Sequence, residues 1–422
     1  MFGKVLLKIF AGVCLLTLLA SHTTAQAPMA LTWDEVRARF EAGNPTLRAG
    51  QIGVQEAKAQ EITAFLRPNP TLGILADQID PFPGGPGHGP FAFLLSTATV
   101  NYLHERQHKR ELRLESAKEA TDITIAGQSD LERNLLFALR GAFVGTLQAK
   151  AVLKIARDNL DYWDHVLSIS RDRFQAGDLA RIDLDRLELQ RVQFEADVQT
   201  ADVNLRTSKI ALLTLLNDRT PVDQFDVLGL YEYNDRLAPL DDFRQTAQTN
   251  RPDLKAALQA VTKAKTDHKL AVANGSTDPT LQADVGRNPP IDAYFGVGVS
   301  IPLRVFDRNQ GEKLRTQLDI DRTQKLADAT QAQIFSDVDS AYATVNSTLI
   351  LLRPYREKYL QQAINVRETV RFSWEHGGAS LLDFLNAEQD YRGVQLNYAN
   401  LVGAYLMAAA QLNMAVGREA LQ

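Results

Sequence analysis

Apolar and polar residues alternate with a period of two in several stretches of this chain. Over residues 293–303, Phe295, Val297, Val299 and Ile301 face one way, and Gly296, Gly298 and Ser300 face the other. One apolar face opposite a small or polar one is the pattern of a strand with a different environment on each side. Residues 280–286 precede it and predict the other member of a strand pair. A second pair is predicted over 70–79 and 91–103, separated by the proline- and glycine-rich run 80–90, which reads as a loop. These lengths approach the ~9–11 residues of a tilted transmembrane strand, although a half-buried strand of a soluble sheet alternates in the same way.

The remaining pattern is helical. No proline occurs between His104 and Gln175, so one helix of roughly 100 Å is sterically allowed at about 1.5 Å per residue. Gly141 and Gly145 are its soft points. In the helix that returns, a 3-4 seam runs Leu184, Leu187, Arg191, Phe194, Val198, Ala201, Leu205, Ser208, Leu212, Leu215. A second seam, spaced by seven, runs Ile182, Leu189, Ala196, Val203, Ile210. Seams on two sides predict helical neighbours on both sides. Pro354 interrupts the corresponding later helix, where a kink or break is expected.

The chain repeats itself. Asn44-Pro45-Thr46-Leu47 recurs as Arg251-Pro252-Asp253-Leu254, and Asn69-Pro70-Thr71-Leu72 as Asp278-Pro279-Thr280-Leu281. At an offset of 200, Arg171, Phe174, Gly177, Asp183 and Glu188 match Arg371, Trp374, Gly377, Asp383 and Glu388. The same offset maps the first seam onto Phe384, Ala387, Tyr391, Val394, Tyr398, Leu401, Tyr405, Ala408, Leu412 and Ala415. Two halves are predicted, 26–217 and 240–422, each reading helix, strand pair, long helix, long helix, and joined by an irregular connector over 218–239.

Composition narrows the function. Of 422 residues, 45% are hydrophobic, and Lys+Arg 46 against Asp+Glu 51 leaves a net charge of −5. A basic nucleic-acid-binding surface is not expected. Lys4 and Lys8, the short apolar run 9–20 and the small residues after it read as a secretory signal peptide over 1–25. The single cysteine, Cys14, falls inside that segment. Val13 before it does not fit a lipoprotein cleavage site, so neither a disulfide framework nor a lipid anchor is expected. Motifs for nucleophilic serine, zinc-protease or phosphate-loop chemistry are missing, and neither an enzymatic activity nor a cofactor is expected. His104 and His108 have helical i, i+4 spacing that suits a metal, but with no third ligand in view they read as solvated polar residues.

Four strands cannot close a membrane barrel, because the smallest have about 8 and open edges in lipid leave backbone groups unsatisfied. Such a chain has to associate. At this point the sequence resembles the TolC-type outer-membrane efflux proteins over essentially its whole mature length. The resemblance rests on Asn44-Pro45, Arg251-Pro252-Asp253-Leu254, Gly298-Val299-Ser300-Ile301-Pro302-Leu303, Phe306-Asp307-Arg308-Asn309-Gln310-Gly311, the stretch from Gly377 to Glu388, and the closing Gln411-Leu412-Asn413. It implies a mainly α fold with a β membrane part: long helical hairpins forming a periplasmic tunnel, and four strands per chain in a twelve-stranded barrel of a homotrimer in the outer-membrane lipid. The implied partners are a periplasmic adaptor (membrane fusion) protein and an inner-membrane pump, of the RND type in the cation-efflux (cobalt–zinc–cadmium) branch that the sequence is most like. The implied function is passive export, of metal cations in that branch. A multidrug or type I secretion duct, or a periplasmic coiled-coil scaffold, are the competing readings.

By the same resemblance, Arg173, Phe174 and Gly177, with Trp374, His376 and Gly377, form the periplasmic tip where the adaptor docks. Ordinary helix C-caps would also place glycine there. Asp183 and Asp383, with Asn386 nearby, are implied to line the tip aperture, where carboxylate rings attract cations. The Ser380-Leu381-Leu382-Asp383 run equally predicts a capped helix start. Asn386 stands where an aspartate is common in the family.

Overall fold

The structure is a computed structural model that describes residues 29–82, 84 and 89–421. The expected signal segment, Cys14 and most of the 85–89 glycine run lie outside the described residues. In chain order the elements are β1 (Met29–Leu31), α1 (Trp33–Gly43), α2 (Pro45–Phe65), β2 (Thr71–Asp77), β3 (Leu95–Leu103), α3 (Lys109–Ala176), α4 (Arg181–Leu216) and β4 (Phe225–Val227). There follow α5 (Leu240–Asn250), α6 (Pro252–Asn274), β5 (Thr280–Asn288), β6 (Ile291–Ser300), α7 (Gln310–Pro354), a π-turn (Tyr355–Tyr359), α8 (Leu360–Glu375) and α9 (Leu381–Val416). Two compact units result. The first takes the chain up to Asn44, Ala138–Asp235 and Asn346–Met407; the second takes Pro45–Phe137, Arg236–Val345 and Ala408–Gln422.

The uninterrupted helix expected from the missing prolines is present as the 68 residues of α3, of which those from Ala138 onward belong to the first unit. The 3-4 seam of α4 is its inner face: Leu184, Leu187, Phe194, Ala201 and Leu212 are buried. The seven-spaced seam is not covered, and Leu189 on it is 72% exposed. Pro354 acts where expected, but the outcome is a π-turn rather than a sharp break. Proline offers no N–H to the preceding turn, and the helix accommodates this by widening over Tyr355–Tyr359 before α-geometry resumes at Leu360.

The 218–239 connector is less irregular than expected. It holds β4, which pairs in parallel with β1 through Met29↔Phe225 and Leu31↔Val227. Asp226 in β4 accepts from Lys150 Nζ at 2.5 Å, and Lys209 Nζ donates to the Phe225 carbonyl at 2.7 Å. Three-residue strands are too short to show a period, so the alternation criterion passes over them.

The second unit is built on a four-stranded antiparallel sheet in the order β2-β3-β5-β6. Its first pair is shorter than 70–79 and 91–103, because local turns (Ala92 N–H to Gly89 O, Leu94 N–H to Phe91 O) occupy 91–94. The second pair extends further toward its hairpin than 286 and 293, with Asn288 paired to Ile291. It stops at Ser300 because Pro302 has no N–H for the ladder. At the start of α6, the end away from the sheet, the buried Arg251 joins three elements. It pairs with Asp253 at 2.5 Å at the start of α6 and with Asp337 of α7 at 3.1 Å, and it donates to the Ala415 carbonyl at the end of α9 at 3.0 Å. Burial alone would raise the Asp253 carboxyl; the Arg251 guanidinium outweighs it and holds the group below its usual range.

Candidate functional sites: the helical tip and the sheet

In the first unit, α3 and α8 end in the same way. Gly177 has φ +84° and Gly377 φ +76°, the left-handed region that glycine enters without steric cost. Asp178 N–H donates to Arg173 O at 2.8 Å and Gly177 N–H to Phe174 O at 3.1 Å. Gly378 N–H donates to Ser373 O at 2.7 Å and Gly377 N–H to Trp374 O at 3.2 Å. Both are Schellman closures, which satisfy the last helix carbonyls. A Cβ on either glycine would meet nothing within 4 Å, so the requirement is the backbone angle and not space.

The aromatic residues of the two ends have different fates. Trp374 is only 6% exposed. It stacks on Phe384 (centroids 4.7 Å), Phe384 on Trp163 (6.0 Å) and Trp163 on Phe194 (4.9 Å). Arg173 lies 5.0 Å from the Trp374 ring at one end of this ladder, and Arg392 4.2 Å from Phe194 at the other, both within cation–π range. Trp374 is therefore core, and Arg173 covers that core. Phe174 is half-buried, with Arg181 5.8 Å from its ring. His376 is exposed, its ring 4.1 Å from Phe372 and its Nδ1 2.8 Å from the Phe372 carbonyl.

The two aspartates also differ. Asp383 takes part in a reciprocal capping box: the Ser380 hydroxyl and N–H donate to its carboxylate at 2.6 and 3.1 Å, and its own N–H donates to Ser380 Oγ at 3.2 Å. These bonds hold its carboxyl below the usual range. Asp183 has Ala180 in the cap position, which offers no side chain for capping. Its carboxylate is half-exposed, 3.8 Å from Arg186 Nη1. Asn386 is exposed on the same turn region of α9 as Asp383.

Sequence reasoning missed the buried Glu388, 4% exposed. Its counterpart Glu188 accepts from Arg171 at 3.0 and 3.1 Å. In the second half, Arg371 instead turns to Glu368 at 2.7 Å. Glu388 is left with Arg367 Nε at 3.9 Å, and Arg367 is sandwiched between the Tyr162 and Tyr391 rings (4.5 and 4.0 Å). Burial pushes the Glu388 carboxyl up, against the pull of Arg367. The signal available in the sequence was Glu368, which stands where the first half has Ser168.

In the second unit the strand register sorts the sheet into two faces. Ile74, Ala98, Val285 and Phe295 form one cross-strand row, Leu72, Val100, Ala283 and Val297 the next, and Tyr102, Leu281 and Val299 a third. This apolar face is open, with Phe295 74% exposed. The opposite face carries Thr71, Asn101, Gln282 and Gly298, then Gly73, Thr99, Asp284 and Gly296. The outer sides of β2 and β6 have no strand neighbour among the described residues. His104 and His108 do not share a helix face, since α3 begins only at Lys109. Among the described residues no group of three or more His, Cys, Asp or Glu is placed to hold a metal.

An open four-stranded sheet with one apolar face, carried on long helices, is the protomer architecture of TolC-like outer-membrane channels, and the chain has that fold. It superposes on the channel protein CusC with a TM-score of 0.76 at 17% identity, covering 91% of each chain. Residues 243–418 match the Outer membrane efflux protein family. The chain is also similar to the cobalt-zinc-cadmium resistance protein CzcC of Cupriavidus metallidurans, 22% identical over 76% of this chain and 77% of that protein. A further relative is Nodulation protein T of Rhizobium leguminosarum bv. trifolii, 24% identical over 72% and 67% of the two chains.

Proposed function

We propose that this protein is the outer-membrane exit duct of a tripartite efflux system. It conducts substrate passively across the periplasm and outer membrane while an inner-membrane pump supplies the energy. The observation that carries this reading is the sheet: one exposed apolar face suited to lipid, one polar face suited to a wet lumen, and two open edges that lipid does not tolerate unpaired. Three copies closing edge to edge give twelve strands, and the uncovered seam of α4 (Ile182, Leu189, Val203, Ile210) supplies apolar surface for helices of a neighbouring copy. The two halves of the sequence then act as two efflux repeats.

The tip turns at Gly177 and Gly377 are the docking region for a periplasmic adaptor, with Phe174 and His376 at its surface and Arg173 and Trp374 supporting it from beneath. Asp183 and Asp383, with Asn386, line the aperture. Likeness to CzcC supports divalent metal cations as the substrate and an RND pump as the energy source. The test is purification from outer membranes. A detergent-stable trimer that conducts in planar bilayers is expected; light scattering that finds a monodisperse monomer with full sheet content overturns the reading.

A further inference from the structure

The helix-side end of the sheet carries a cluster of cations that the efflux reading does not use. Leu66 and Arg67 lead into β2, His104 and Arg106 follow β3, and Arg308 follows β6. The turn 275–278 before β5 brings these segments together. Arg106 N–H donates to Asp278 at 2.9 Å, and Lys109 Nζ donates to Asp278 at 2.6 Å and to the Ser276 carbonyl at 3.0 Å. Asn309, next to Arg308, donates to the Ala271 carbonyl at 2.7 Å. Arg113 grips Glu105 and reaches the Leu66 carbonyl at 3.4 Å. The acids at this end are thus engaged: Glu105 by Arg113, Asp278 by Lys109, and Asp307 by the Asn309 N–H at 2.8 Å. Arg67, Arg106 and Arg308 are exposed and have no ion-pair partner among the described residues.

The position of this collar is specific. Along the apolar face the rows run through Phe295, Val297 and Val299 to Tyr102, an aromatic at the place where a membrane boundary favours one. His104 continues the same face, its N–H still bonded to the Pro279 carbonyl at 2.9 Å. Past β6, Leu303, Val305 and Phe306 are exposed, Phe306 by 93%. The hairpin end carries Asp77, Asp80 and Asp292, and its one arginine, Arg287, lies 3.9 Å from Asp292. A rim of unpaired guanidiniums bordered by exposed apolar side chains, at one end of a lipid-facing band, matches a layer of phosphate beside acyl chains. Guanidinium is the side-chain cation best shaped for phosphate.

We propose that Arg67, Arg106 and Arg308 form a collar that binds the phosphodiester headgroups of anionic phospholipid where the barrel meets the periplasm; this rests on the outer-membrane reading. The collar fixes the depth and orientation of the sheet in the bilayer. Each arginine contributes roughly fivefold to lipid affinity, so R67Q/R106Q/R308Q is expected to bind on the order of a hundredfold more weakly. The test uses the purified full chain in micelles doped with dioleoyl phosphatidylglycerol or dioleoyl phosphatidylcholine, with lipid-dependent shifts in the unfolding midpoint as the readout.

Phosphatidylglycerol is expected to raise the midpoint above phosphatidylcholine, and salt to shrink the difference. The glutamine triple variant should lose that difference while keeping its sheet signal and its phosphatidylcholine value, and the lysine triple variant should retain most of it. Equal shifts from the two lipids in the wild type, or a preference kept by the glutamine variant, overturn the proposal. So does inorganic phosphate reproducing the shift, which would assign the site to a soluble anion. A chain that fails to float with phosphatidylcholine vesicles refutes the membrane reading itself and the collar with it. A chain that inserts there without preferring phosphatidylglycerol refutes the collar alone.

Discussion

A buried glutamate with no hydrogen-bond partner on Oε1 among the described residues is an uncomfortable charge, and Glu388 occupies that position beside Tyr162 and Arg367. Its folded-state pKa is raised, so its contribution to stability is full when the carboxyl is protonated and declines as pH rises through the folded value. Thermal stability should therefore fall as pH rises above the ordinary glutamate range of about 4.3. E388Q mimics the protonated form and should flatten that dependence; a slope identical to wild type would show that Glu388 is not its source. A second residue-scale expectation concerns the tip glycines. Alanine at Gly177 or Gly377 meets no clash but must adopt positive φ, at a cost of about 1 kcal/mol each. Faster amide exchange confined to that tip is the observable. These glycines were legible in the sequence because a turn backbone has few alternatives. Glu388 was not, because its burial depends on which partner Arg371 chooses, and a helical period does not encode that choice.

At the scale of elements, the apolar periods carried most of the information. Alternation over 293–303 located β6, with the other sheet strands read beside it, and the 3-4 seam located the inner face of α4, because two faces in different environments are what produce each period. Element ends were less legible, since they depend on single backbone donors: Pro302 ends β6, and turns at 89–94 postpone β3. β1 and β4 were invisible for lack of length. The aromatic ladder was invisible as well, because its four rings come from α3, α4, α8 and α9 and meet only in the folded unit. Phe384 lies at its centre, fully buried. Phe384→Ala should cost about 3–5 kcal/mol, whereas Phe174→Ala, at a half-buried position, should cost much less. Urea unfolding of the two variants, followed by tryptophan fluorescence, makes the comparison. Arg251→Ala removes the joint between α6, α7 and α9 and leaves Asp253 and Asp337 without their cation, so a loss of about 3 kcal/mol is expected from the same measurement.

At the scale of the whole molecule the aperture is the decisive proposal, and the geometry of the tip divides two carboxylates that the sequence presents as equivalent. Asp383 is occupied: both Ser380 donors bind it, and its lowered pKa means that the cap's stability is present above the ordinary aspartate range and lost as pH falls through the folded value. Among the described residues Asp183 has no side-chain capping partner, because Ala180 replaces the serine, and its one ionic neighbour there is Arg186 at 3.8 Å. In a trimer, the ring free to bind cations is therefore the one built from Asp183. Asp183→Asn should weaken block by divalent cations in planar bilayers with little effect on helix order. Asp383→Asn should instead loosen the first turn of α9, seen as faster amide exchange after Ser380 and higher basal conductance, with most of the cation block retained. A double variant should show both effects. If Asp183→Asn leaves the block unchanged while Asp383→Asn abolishes it, the capped carboxylate is the cation ligand and this division is wrong. If neither changes conductance or block, the two aspartates serve only as helix starts, and the aperture is lined by other residues.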